Sequence, residues 1–176
     1  MFKIRQAGKG DFSKILSLYQ EVSKEKIGIA RTHEEITEGY IECFMKNAAE
    51  SGIELVIENP NNTEQIIAEI HCYKLGPKVF DHVLSELTVL VDKNFQGQGV
   101  GKLLFTGLLD IISTTRTDIL RVELIAQESN VKAIEFYKKI GFAIEGRFEK
   151  RIITGLNTFE ADIPMAWINK NYLGAS

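Results

Sequence analysis

The stretch Gln96-Gly97-Gln98-Gly99-Val100-Gly101, just past the middle of a chain of 176 residues, constrains the fold more than any other. Three glycines fall within six positions, and immediately after them Val100, Leu103, Leu104, Leu108, Ile111 and Ile112 recur at helical spacing. The run Val83–Val91 before them reads as a strand. A strand, a bare turn and a helix start follow one another without a break. The first N–H groups of a helix have no partner inside it and carry the positive end of its dipole, so a glycine turn that lets a ligand approach makes an anion cradle. Two familiar phosphate motifs fail on spacing. A dinucleotide fingerprint needs glycine where Lys102 stands, and a P-loop needs glycine at Gln96 with Ser or Thr at Leu103. A turn that merely allows close packing remains the plain alternative.

Around that junction, period-2 and period-3.6 patterns alternate through the sequence, which predicts one mixed α/β domain over residues 1–176. Phe2–Arg5 reads as a short strand. Asp11 reads as the N-cap of a helix with Phe12, Ile15, Leu16, Tyr19 and Val22 inward, followed by a loop containing Gly28. Thr32 and Glu35 have capping-box spacing ahead of a helix that Gly52 ends. Strands around 53–57 and 65–73 flank the turn Asn59-Pro60-Asn61-Asn62. Ile119–Ala126 reads as a strand, Ser129-Asn130 as caps of a helix that stops at Gly141, and 147–154 with 158–167 as a hairpin. Pro164 marks its second arm as an edge or a bulge.

Hydrophobic residues at 44% and charged residues at 26% suit a water-soluble domain, and no apolar run reaches the roughly 20 residues that span a bilayer. The amino terminus alternates apolar and basic residues, so a cytoplasmic protein is expected. Net charge of −3 argues against nucleic acid as the partner. Cys43 and Cys72 have no metal or disulfide spacing and are expected to be packed thiols.

Gln96, Gly99 and Gly101 resemble the Gln/Arg-x-x-Gly-x-Gly/Ala motif of the GNAT superfamily of N-acetyltransferases. A second stretch, residues 128–142, carries the family's Asn-x-x-Ala-x-x-x-Tyr-x-x-x-Gly-Phe pattern complete, as Asn130, Ala133, Tyr137, Gly141 and Phe142. The resemblance implies the GNAT fold, a central mixed twisted sheet of about six or seven strands flanked by about four helices, with acetyl-CoA as co-substrate. It implies that the main chain of Gln96, Gly97, Gln98, Gly99, Val100, Gly101 and Lys102 holds the diphosphate, and that Val89, Leu90 and Val91 pair with the pantetheine arm as an added strand would. It also gives Asn130 a hydrogen bond to the pantetheine and places Ala133 on the same cofactor-lining helix face.

Acetyl transfer to an amine has two proton problems: the attacking ammonium must lose a proton and the leaving thiolate must gain one. By the resemblance Tyr137 is the proton donor. Glu86, a lone carboxylate in an otherwise apolar strand whose alternation puts it on one face with Thr88 and Leu90, reads as buried and is the candidate base, and a structural ion pair explains it equally well. Relatives that acetylate protein N-termini carry a glutamate where Ile125 stands here. Glu123 is a weaker candidate, and His71 and His82 read as lone histidines. The expected acceptor is a free amino acid or small amine, shaped by residues 24–33 and the late hairpin, with Arg147, Lys150 and Arg151 as carboxylate-binding candidates. Transfer to ribosomal-protein N-termini and a non-catalytic acyl-CoA-binding module stand as alternatives. Relatives often pair as homodimers.

Overall fold

The computed structural model describes residues 2–24 and 29–174, so Gly28 and the centre of the predicted 24–33 acceptor loop lie outside the described residues. The chain forms strand β1 (Ile4–Gln6), helices α1 (Phe12–Ser23) and α2 (Glu38–Ser51), strands β2 (Ile53–Asn59), β3 (Asn62–Tyr73) and β4 (Val83–Val91), and helix α3 (Val100–Thr115). Strand β5 (Arg121–Gln127), helix α4 (Val131–Lys139) and strands β6 (Ala143–Ile144), β7 (Phe148–Gly155) and β8 (Thr158–Ile168) complete it. Among the described residues the expected mixture of about four helices with a mixed sheet of six or seven strands is met with four α-helices and eight strands. Strand β6 had no signal, because two residues are too few to show a period.

Two compact units result, one built from the chain up to Lys74 together with Thr88–Ile111, the other from Leu75–Leu87 together with the chain from Ile112 onward. The chain passes from one to the other after Lys74, inside β4 and again inside α3. In the first unit the strand order is β1-β2-β3-β4, with β1, β2 and β3 antiparallel. Its core packs Ile15, Leu18 and Tyr19 of α1 with Ile41 and Phe44 of α2 against Val56, Ile66 and Leu90. In the second unit the order is β4-β5-β8-β6, with β7 also on β8. There β4 and β5 run parallel, at Val83↔Arg121 and Leu84↔Val122, while β5, β6 and β7 each pair antiparallel with β8.

Three local expectations are refined. Asp11 stands at the N-cap position of α1, as expected, but its side chain makes no cap bond there: it already has helical angles, as the last residue of a 3-10 turn over Lys9–Asp11. Its carboxylate instead accepts from the Gly8 N–H at 2.8 Å and from two Arg5 nitrogens at 2.7 Å each. The Thr32–Glu35 pairing is real, with the Thr32 N–H donating to Glu35 Oε2 at 2.7 Å, but it opens only a 3-10 turn. Ile36 then leaves the helical region to bury its side chain, and α2 starts afresh under Thr37, whose hydroxyl accepts from the Tyr40 N–H. Pro164 lies in an inner strand rather than at an edge. It pairs with Ile125 of β5, while its carbonyl accepts from the Glu145 N–H at 3.0 Å on the other side, where β6 has ended and β7 has not begun. A strand residue's N–H and C=O point the same way, so the donor that proline lacks would have faced that gap.

The Arg5–Asp11 pair makes stability depend on acid. The Arg5 guanidinium holds the Asp11 carboxyl below its ordinary value, so the contribution is present above the usual carboxylate range and is lost as pH falls through the lowered folded value. Asp11→Asn is expected to cost about 1–3 kcal/mol at neutral pH and far less at strongly acidic pH, as urea melts at the two pH values would show.

Candidate functional site

In the first unit β4 ends at Val91, and Asp92 turns the chain by accepting from the Asn94 N–H at 2.8 Å, while its own N–H donates to Ile67 of β3. The glycine turn follows. Gly97 and Gly99 have φ of +73° and +81°, and both they and their neighbours Gln96 and Gln98 are exposed. Helix α3 starts at Val100, and its first bond to the turn is from the Leu103 N–H to the Gly99 carbonyl. Among the described residues, none of the N–H groups from Gly97 to Lys102 makes a backbone hydrogen bond. A Cβ at either positive-φ glycine would meet nothing within 4 Å, so these glycines serve backbone conformation and not packing. The residues fit a diphosphate: bare amide donors, a helix dipole and open space coincide.

Gln96 has a structural task as well, for its Nε2 donates to the Val91 carbonyl at 3.1 Å and ties the cradle to the end of β4. Since N–H and C=O directions alternate along a strand, the Asp92-to-Ile67 bond fixes which groups face β3. The N–H and C=O of Val89 and the N–H of Val91 face the opposite edge, which in this unit is the outer edge of the sheet. Leu90 turns its main chain toward β3 and buries its side chain in the core, so of Val89, Leu90 and Val91 only the two valines present ladder groups outward. Lys102 is exposed on the first turn of α3.

Gly99→Ala tests the cradle. An L residue held at that φ costs about 1–2 kcal/mol, so the turn relaxes and CoA affinity falls roughly five- to thirtyfold by calorimetry. Gly101→Ala should bind normally, because its Cβ would only touch Val91 Cγ2 at 3.6 Å.

In the second unit Asn130 is the N-cap of α4, its Oδ1 accepting from the Ala133 N–H at 3.2 Å. The cap leaves the amide Nδ2 as its donor. Ala133 and Tyr137 are half-buried on the same helix face. Tyr137 packs against Phe142, ring centres 6.1 Å apart, and burial pushes its phenol up to about 12. Gly141, at φ +102°, stops the helix beneath Trp167.

Glu86 also lies in the second unit, and it is exposed, not buried as its apolar neighbours suggested. Its φ is +55°, a left-handed conformation inside a strand, which disrupts the alternation the sequence reading relied on. Glu123 accepts from Arg121 Nε at 2.7 Å, and Arg121 also pairs with Glu145. Arg147 is engaged by Glu128 and Glu149, and Arg151 by Asp162 at 3.4 Å. Lys150 sits exposed at φ +53°. His82 is half-buried and receives the Leu120 N–H on its carbonyl.

His71 is not lone. Its Nδ1 lies 3.0 Å from Glu69 Oε1, and the Tyr19 hydroxyl donates to Glu69 Oε2 at 2.7 Å, all three side chains being buried. Phe44 stacks on the imidazole with centres 4.0 Å apart. Sequence reasoning missed this network; its one signal was Glu69 and His71 two apart in the largely apolar second half of β3. Cys72 is packed as expected, whereas Cys43 lies on the outward face of α2 and is exposed.

Comparison with known proteins agrees with the two motifs. A curated relative, the peptidyl-lysine N-acetyltransferase YjaB of Salmonella typhimurium, is 34% identical over 61 residues, a match spanning 35% of this chain and 37% of that protein. The fold is shared with the acetyltransferase of GNAT family from Streptococcus pneumoniae, at a TM-score of 0.83 and 22% identity over 96% of this chain and 99% of that one. It is shared too with a phosphinothricin acetyltransferase from Sinorhizobium meliloti in complex with AcCoA, at a TM-score of 0.83 and 12% identity over 99% and 92% of the two chains. The model of the acetyltransferase (GNAT) family matches residues 15–142, most of the chain and both of its motifs, and the chain belongs to that family.

Proposed function

We propose that the protein is a single-domain, acetyl-CoA-dependent N-acetyltransferase that passes the acetyl group to the primary amine of a small molecule by direct attack in a ternary complex. The observation that supports it best is the cradle: six consecutive residues, Gly97 to Lys102, whose amides are committed to no backbone acceptor, at a helix start opened by two positive-φ glycines. Acetyl-CoA bound there supplies an acyl group activated as a thioester. The cradle amides, with Lys102, hold the diphosphate; Val89 and Val91 align the pantetheine arm; Asn130 adds its Nδ2 donor, and Ala133 leaves room beside it.

Glu86 takes the proton of the attacking ammonium, and its exposure gives that proton a route to solvent. Tyr137 serves the departing sulfur. Its phenol at about 12 keeps its proton at neutral pH, whereas a thiol ordinarily titrates near 8.5. Full transfer from phenol to thiolate is therefore uphill, and the hydroxyl acts chiefly by donating a hydrogen bond to the charge that develops on sulfur. Arg147 and Arg151 are satisfied by acidic partners, which favours a simple amine over an amino acid as acceptor. A second reading, transfer to a peptide lysine, is supported by the 61-residue similarity to the Salmonella enzyme.

The test incubates the protein with acetyl-CoA and separate panels of monoamines, polyamines, amino acids and lysine peptides, following free thiol. Turnover with monoamines or polyamines supports the first reading, and turnover confined to lysine peptides the second. CoA binding without thiol release from any amine overturns both in favour of a binding module.

A further inference from the structure

We propose that a pocket in the first unit, between the start of α1, helix α2 and the start of β2, is a binding site for a small amphipathic monoamine whose ammonium pairs with Glu54. The pocket measures about 610 Å³, with Phe12, Met45 and Ala49 as apolar wall and Glu54 among its lining residues. Glu54 is only 6% exposed, and its Oε1 is buried without a hydrogen-bond partner. A buried carboxyl oxygen left unpaired costs free energy that native structures seldom leave uncompensated.

The neighbouring donors are already committed. Arg5 is bonded to Asp11 and Glu58, and His71, directly across the ladder from Glu54, is held by Glu69 and Tyr19. At the rim Lys46 leans on Glu50, and Lys9 and Glu42 cancel in sign. The missing partner is therefore an N–H donor brought in from outside, with a hydrocarbon body to cover the apolar wall.

The titration of Glu54 supplies a signature that surface binding lacks. Burial first, then the Glu69 and Asp11 carboxylates, push Glu54 up to about 8, so at neutral pH it keeps its proton. An ammonium that pairs with it releases that proton to solvent, and affinity rises with pH until Glu54 is ionised. The other charged or titratable groups facing it are Asp11 with Arg5 below α1, Glu69, His71 and Tyr19 behind, and Lys9, Glu42, Lys46 and Glu50 at the rim.

The experiment titrates the full chain with hexylamine, and with 1-hexanol as the uncharged isostere, by calorimetry and methyl NMR at about pH 7 and pH 9. Hexylamine stays cationic across that range, as lysine does. The expected result is binding at least tenfold tighter than that of hexanol, strengthened roughly tenfold between the two pH values, with shifts at Met45 and Ala49. Glu54→Gln, nearly isosteric and free of charge repulsion, should lose at least tenfold and become flat with pH. Ala49→Leu, which keeps the carboxyl and fills the pocket, should also lose binding. Equal affinity for hexanol, unchanged binding in Glu54→Gln, shifts away from Met45 and Ala49, or no binding at all would each overturn the assignment.

Discussion

Changing Tyr137 to phenylalanine is expected to lower kcat for acetyl transfer about a hundredfold or more, while CoA affinity stays within about twofold. The substitution removes one oxygen and leaves the packing intact, because the ring's contacts with Phe136 and Phe142 involve carbon faces and edges that phenylalanine reproduces. What disappears is the hydrogen bond offered to the departing sulfur, an interaction worth most when the charge has formed and little in the ground state. A change in kcat with KM preserved is the pattern for a group acting only in the transition state. The phenol's position at about 12 adds a constraint on pH. Tyr137 stays protonated throughout the workable range, so any fall in rate at high pH in the wild type must persist in the variant. A kcat near wild type removes Tyr137 from the reaction, and a large loss of CoA affinity instead assigns it to coenzyme binding.

Features that depend on local chemistry were legible in the sequence. The strand-turn-helix junction, the α4 cap at Asn130 and its stop at Gly141 each rest on residues a few positions apart, where backbone preference and capping geometry decide the outcome. Strand β4 was placed to the residue by its apolar run between turn signals. What failed was any inference that needed tertiary context. Glu86 looked buried because its neighbours are apolar, but one left-handed residue breaks the alternation and turns its carboxylate outward. Asp11 does take the N-cap position of α1, but a cap signal cannot see an arginine six residues upstream folded back as a competing donor for its carboxylate.

The same limit hid the buried carboxyls. Glu54 and Glu69 lie fifteen positions apart and meet only because the β2–β3 ladder sets Glu54 opposite His71 and Val56 opposite Glu69, which puts Glu54, Glu69 and His71 on one face. Read along the chain, each is one charged residue between apolar neighbours. Only the register shows that one is compensated by Tyr19 and His71 and the other is not. The register of β2 against β3 therefore sets the two carboxyls on one face, where they repel each other, and leaves the Glu54 Oε1 without the partners that Glu69 has.

That register depends on Gly52, and Gly52→Ala is expected to destabilise the fold by about 3–4 kcal/mol, lowering Tm by about 10 °C. The backbone there has φ of −136° and ψ of −148°, outside the left-handed region, so a positive φ is not the obstacle. Space is. A Cβ on Gly52 would fall 1.9 Å from the Cys72 carbonyl oxygen and 2.7 Å from the Tyr73 Cα. Both are main-chain atoms of β3 that no rotamer change can move, unlike the end of a flexible side chain. Relief requires the start of β2 to back away from β3, and the pairs that open first are Ile53↔Cys72 and Glu54↔His71. Gly10→Ala is the matched control, because its Cβ would meet nothing within 4 Å and its Tm should hold within about 2 °C. Thermal melts of the two variants beside the wild type decide it: a Gly52→Ala protein as stable as the control would mean that β2 and β3 tolerate a wider spacing at this end. If the loss appears, hydrogen exchange should locate it at Ile53 and Glu54 before the rest of β2, since the steric contact acts at the strand's first pair and the ladder opens from there.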